Sequence, residues 1–174
     1  EPQSETVWHQ ADKYSVPRIC FVNKLDRTGA SFEFSYKTIL ERLTKKAIRA
    51  QIPIGLEDAH VGVVDLLTMR AYYFEGEMGR NVIEKDIPDD LKDDAKKYHD
   101  ELVERIVELD EEVLEKYFAG DIPDIATLKR ILRAGVINLD IIPVYCGSAL
   151  KNKGVQLVLD AVIDLLPSPL DIPA

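Results

Sequence analysis

Two short apolar runs, RICFV at residues 18 to 22 and IIPVYC at 141 to 146, constrain this chain more than any other feature. Such runs without polar alternation read as strands buried on both faces, the habit of parallel sheets, and parallel strands need helical crossovers between them. Each run here does release a polar loop and then a helix-spaced stretch. FVNKLDRTGA leads to Ser31, placed to cap a helix carrying Phe32, Tyr36, Ile39, Leu40 and Leu43. GSALKNKG leads to Val155, Val158, Leu159, Val162 and Leu166, closed by Pro167. Ligands collect at the C-terminal edge of such sheets, so NKLD and GSAL are expected to meet although about 120 residues separate them.

The residues between are of another style. QIPI, VGVVDLL, MRAYYF and NVIEKDI are short, β-branched or aromatic runs separated by GLED and EGEMG, which predicts a small antiparallel sheet over 51–88. Helices follow. Leu91, Ala95, Tyr98, Leu102 and Ile106 form one apolar stripe, Asp110 is placed to cap a second helix ending at Gly120, and Ile125, Leu128, Ile131 and Leu132 mark a third. An N-terminal helix is expected from Thr6 to Tyr14. The fold class is therefore α/β: a partial parallel sheet with helices, plus an inserted α+β subdomain. The expected division is 1–45 with 139–174 for the first part and 46–138 for the insert.

A chain of 174 residues with 46% apolar and 30% charged side chains is long enough to bury a real core. No stretch of about 18 apolar residues is present to span a membrane, and no basic-then-apolar leader opens the sequence. Cys20 and Cys146 lack the paired spacing of zinc or redox sites, and His9, His60 and His99 are scattered, so no metal centre is expected. The formal charge of −9 is concentrated: residues 84–124 hold 16 acidic and 6 basic side chains, the rest 15 and 16. Such a surface repels phosphate backbones and suits a basic protein partner, or simply keeps the domain in solution.

The polar cluster after Val22 fits one base edge. Guanine presents N1–H and an N2 amino group side by side, and the Asp26 carboxylate can accept from both in a charge-assisted pair. Adenine offers a lone pair at N1 instead, leaving the carboxylate mismatched. Asn23 is placed to tie the loops together, the Lys24 stem to cover a ring face, and the amides of Ser148 and Ala149 to meet O6. A strand followed by Asn and Asp is also ordinary turn chemistry, and this alternative stands beside the guanine one.

The segments VWHQADKYSVPRICFVNKLDRTGA, IPIGLEDAHVGVVDLLTMRAYYF and PVYCGSALKNKGVQLVLDAVIDLLPSP, in this order, resemble the elongation factor G family of translational GTPases. The resemblance implies that Asn23, Lys24 and Asp26, with Ser148, Ala149 and Leu150, are the fourth and fifth guanine-binding elements. It implies GTP and GDP as ligands, and the ribosome as partner, with no membrane and no sequence-specific nucleic acid. It also implies a P-loop GTPase-type sheet with a subdomain inserted between the two elements. The location it implies is the cytoplasm, with the mitochondrial matrix as alternative.

No G-x-x-x-x-G-K-[ST] occurs among the nine glycines. The phosphate loop, the switch segments and the Mg2+ ligands are thus expected upstream of Glu1, and the chain alone is not expected to hydrolyse GTP. SPLDIPA at the end is where the family passes to its next domain. Within the acidic middle, Glu104, Glu108 and Glu111 follow i, i+4, i+7 spacing, although Glu111 lies near or past the helix end. The resemblance implies contact of this part with the ribosomal stalk protein. The alternatives are a protein-interaction module with idle guanine motifs, or a ribosomal protection protein or release factor of the same superfamily.

Overall fold

RICFV and IIPVYC do pair. In the computed structural model, which describes residues 2–168, strand β1 (Cys20–Val22) lies parallel to β7 (Ile142–Cys146), with Val22 opposite Cys146. All five residues of β7 are buried, because it is the central strand of the order β1-β7-β2. In β1 Val22 alone is buried, contrary to the expectation of a strand covered on both faces. Its outer edge carries no further strand among the described residues, which leaves Cys20 and Phe21 half-exposed. SPLDIPA beyond Ser168 lies outside the described residues.

The third strand, β2 (Ala47–Arg49), also runs parallel to β7, pairing Ala47 with Ile142. One residue later the chain enters β3 (Gln51–Ile54), the first strand of the antiparallel meander. β4 (Gly62–Asp65), β5 (Arg70–Glu75) and β6 (Asn81–Lys85) follow in the order β3-β4-β5-β6. Ala50 is the hinge between sheets: its N–H donates to Val144 O at 2.9 Å and its carbonyl accepts from Leu66 N at 3.0 Å. Gln51, buried, accepts the Cys146 N–H at 3.1 Å through its side chain.

The expected helices form. α1 (Pro2–Lys13) precedes β1, and α2 (Phe32–Arg42) starts at Ser31, whose hydroxyl accepts from Phe34 N. α3 (Lys92–Val107) is followed by α4 (Glu111–Phe118) and α5 (Ile125–Ile137), capped by Asp110 and Asp124 on Val113 N and Thr127 N. α6 (Val155–Leu165) closes the described chain. The buried face of α3 is broader than the predicted stripe, because Val103 and Val107 join Ala95, Leu102 and Ile106.

Two apolar cores run across both sheets. One packs Ile48 and Tyr145 with Ile52, Leu66, Leu102 and Leu132, and the other packs Val22, Leu25 and Phe32 with Val63 and Phe74. A polar joint reinforces them. Arg49 lies between the rings of Tyr36 on α2 and Tyr98 on α3, 4.0 Å from each centroid. It also donates to both oxygens of Glu33, at 3.1 and 2.6 Å. Arg49→Ala leaves Glu33 and the Tyr36 ring without their cation and removes one of two from Tyr98, and we expect it to lower stability by about 2 kcal/mol in denaturant titrations.

Candidate functional site

The loop after β1 and the loop after β7 leave neighbouring parallel strands at the same edge, and the backbone stitches them together. Gly147 N–H donates to Val22 O at 3.0 Å, and Leu25 N–H donates to Gly147 O at 3.2 Å. Asn23 then bridges the loops: its Oδ1 accepts from Lys24 N and from Ala149 N, both at 2.8 Å. The residue after Asn23 bends back sharply, with Lys24 at φ 63°, so its exposed side chain stands clear of the strand. Leu25, buried in the second core, pins the loop from below, a role that its place inside NKLD does not signal.

Asp26 stands beside the second loop with its side chain 10% exposed, its Oδ2 3.3 Å from Lys151 Nζ. The Ser148 hydroxyl nearby, followed by the Lys151 ammonium, holds the carboxyl below its ordinary range although burial opposes this. Ser148 Oγ is buried and makes no hydrogen bond of normal geometry, so it acts on Asp26 as an adjacent dipole. The carboxylate is thus favoured in its ionised form, with the Lys151 ammonium and the Ser148 hydroxyl dipole beside it. Lys151 is a site residue that the sequence reading missed, since nothing about a Lys in GSALKNKG distinguishes it from a solvated one.

The second loop is a closed hairpin. Ser148 and Lys153 exchange both backbone hydrogen bonds at 2.8 Å, and Asn152 N–H donates to Ala149 O at 3.1 Å. Gly147 permits this closure, because an added Cβ would lie 2.2 Å from Lys153 O. The hairpin alters one expectation: the Ser148 N–H is spent on Lys153 O and is turned away from an incoming base. Ala149 N–H, given to Asn23, remains at the loop junction. Leu150 is 77% exposed and touches none of the other site residues through a hydrogen bond.

A third loop joins them, from the antiparallel sheet. Glu57 N–H donates to Leu25 O at 2.8 Å, Glu57 Oε1 accepts from Gly29 N at 3.1 Å, and Lys153 Nζ donates to His60 O at 2.7 Å. In the sequence GLED reads only as a separator between strands. Its role depends on backbone groups, which leave no mark on residue type.

Glu104, Glu108 and Glu111 are all exposed. They do not share one helix: Glu104 is in the last turn of α3, Glu108 is its C-cap, and Glu111 opens α4. Glu104 and Glu108 border a groove of about 430 Å3 between α2 and α3, together with Lys37, Arg49 and Arg105. Cys20 and Cys146 are free thiols. Burial pushes Cys20 up to about 11 and Cys146 higher still, which disfavours the thiolate at both.

A parallel sheet whose adjacent strand-to-helix loops carry N-K-x-D and S-A-L, joined through the Asn23 side chain, is the architecture of a GTPase-type α/β domain. The chain belongs to the family described as the elongation factor Tu GTP binding domain, whose model matches residues 1–168. Elongation factor G 1 of Bdellovibrio bacteriovorus is 54% identical across all of this chain. A crystal structure of a protein from Thermus thermophilus superposes on 95% of it with a TM-score of 0.84 and 27% identity. The chain spans 25% of the length of the first and 24% of the second.

Proposed function

We propose that this chain is the guanine-reading half of a translational GTPase of the elongation factor G type, which drives GTP-dependent movement of tRNA and mRNA through the ribosome. Residues 1–45 and 139–174 form the second half of the GTPase domain, and 46–138 the inserted subdomain, with β2 at the seam. The observation that carries this reading is the bond from Ala149 N to Asn23 Oδ1, which sets two loops side by side with the ionised Asp26 between them.

Asp26 takes the N1–H and N2 donors of guanine, displacing or sharing Lys151. Asn23 fixes the junction, Ala149 N–H meets O6 by sharing its bond to Asn23 Oδ1, and Lys24 and Leu150 flank the ring. The ligands are GTP and GDP. Mg2+ and the phosphate-cleaving groups belong to the intact protein, since this sequence holds no phosphate loop. The setting is the cytoplasm, and no helix among the described residues is long and apolar enough to cross a membrane.

A second reading has its own support: Lys151 on Asp26, and the amides of Ser148 and Ala149 given to Lys153 O and Asn23 Oδ1, engage the groups that a base would need. Titration of labelled GDP into this chain separates the two. Saturable binding that GTP displaces and ATP does not supports the first, and no binding at millimolar nucleotide leaves an interaction module.

The acidic end of α3 and the start of α4 are the surface we assign to the ribosomal stalk protein, whose contact would be read through charge. Changing Glu104, Glu108 and Glu111 together to Lys should lower ribosome-stimulated turnover roughly tenfold and leave nucleotide affinity of the free protein within about twofold. An unmoved ribosome-stimulated rate would make these three glutamates a solvated face.

A further inference from the structure

The tip of the β3–β4 hairpin, residues 55–60, grips both base-reading loops while lying in neither. Glu57 holds the first loop at two points, Leu25 O through its backbone N–H and Gly29 N through its carboxylate, and these two points flank Asp26. His60 holds the second through its carbonyl on Lys153 Nζ, and Lys153 is the residue that closes the hairpin on Ser148. The tip is built tightly. Glu57 has φ 56°, Gly55 has φ +74°, and a Cβ on Gly55 would lie 1.9 Å from Ala59 O.

A non-glycine residue in the left-handed region persists where its surroundings over-determine it, and here Glu57 is held by its two contacts to the Asp26 loop and by the His60 N–H on its carbonyl. We infer that Glu57 and the Lys153–His60 link are positioning elements. They set the spacing between the Asp26 loop and the Ala149 loop, and through it how long a guanine nucleotide stays bound. The inserted sheet is thereby part of the base site's frame. This rests on the guanine reading proposed above, and the hairpin tip itself is not assigned a contact with the nucleotide.

The test uses the full-length protein with fluorescent GDP, measuring affinity and dissociation rate, and thermal unfolding to confirm folding. Glu57→Ala removes the acceptor for Gly29, and Lys153→Met removes the donor to His60. Each should raise the GDP Kd roughly tenfold, mainly through faster dissociation, with guanine preference over xanthine retained because Asp26 is intact. Glu57→Gln keeps an acceptor oxygen and should stay within about twofold of wild type, and Lys153→Arg should do likewise.

Folded Glu57→Ala and Lys153→Met proteins with unchanged Kd and dissociation rate would overturn the inference. Equal losses in Glu57→Gln and Glu57→Ala would overturn it too, by making the Glu57 charge the active property. A wild-type protein without preference for GDP over ADP would instead bring down the guanine reading, a result visible before any variant is compared.

Discussion

Asp26→Asn in the full-length protein should turn a guanine-selective site into one that prefers xanthine nucleotides. The ionised carboxylate has two acceptor oxygens and no donor, which matches N1–H and the N2 amino group of guanine. An amide in its place keeps one acceptor for N1–H but puts an NH2 group against the N2 amino group, donor against donor. Xanthine has a carbonyl at that position, and the same NH2 donates to it. Losing a charge-assisted bond and facing two unmatched donors in a site where the side chain is 10% exposed costs about 2–4 kcal/mol, roughly 30- to 1000-fold in GDP affinity.

The Lys151 contact sharpens that result. Its ammonium lies 3.3 Å from Asp26 Oδ2 and loses an ion-pair partner in the variant, so the two loops are also held together less well. Competition of GDP and XDP against one fluorescent nucleotide measures both affinities together. If guanine selectivity survives the substitution, Asp26 does not read the base, and the two loops are joined for another reason.

What the sequence disclosed and what it withheld divide along a physical line. The parallel strands, the caps at Ser31 and Asp110 and the antiparallel meander were legible because each rests on local pattern: apolar run length, a cap residue before a helical period, β-branched runs between turns. β2 was not, since AIRAQIPI is one continuous extended stretch and residue types do not mark the point at Ala50 where its partner changes from β7 to β4. The half-exposed character of β1 was hidden for the same reason, as a run of apolar residues does not state whether it is central or at an edge.

At the site, Asn23 and Asp26 announced themselves through side-chain chemistry. The grip of Leu25 O, Gly29 N and His60 O by other loops did not, because any residue type carries those backbone groups. Glu111 shows the reverse case. Its spacing from Glu108 looked helical, yet Asp110 starts a new helix between them and carries Glu111 onto α4.

His60 is expected to make this fold acid-sensitive. Its side chain is fully buried, edge-on to Phe74 at 6.4 Å between centroids, and neither ring nitrogen has a hydrogen-bond partner. Burial, and then the nearby Lys153 charge, push the imidazole down to about 4, with the Asp26 carboxylate pulling the other way. In the unfolded chain it titrates near 6.5. Between those values the unfolded chain binds a proton that the native state refuses, so stability falls as pH drops through the window and recovers as pH rises. The loss attributable to this one ring is on the order of 2–3 kcal/mol by about pH 4.5.

Two carboxyls bear on the same pH range. Asp65, whose pKa burial raises, takes up its proton more readily in the native state and offsets part of the loss, while Asp26 titrates below the ordinary carboxylate range and adds to it at lower pH. His60→Leu isolates the ring because it removes the titration, keeps a similar volume beside Phe74 and leaves the backbone carbonyl on Lys153 in place. Denaturant midpoints at about pH 7 and about pH 4.5 should then show the wild type losing on the order of 2–3 kcal/mol more than the variant. At neutral pH the variant should be as stable as wild type or slightly more so, since two unpaired buried nitrogens are gone. Parallel losses in the two proteins would mean that the proton taken up on unfolding goes elsewhere than His60.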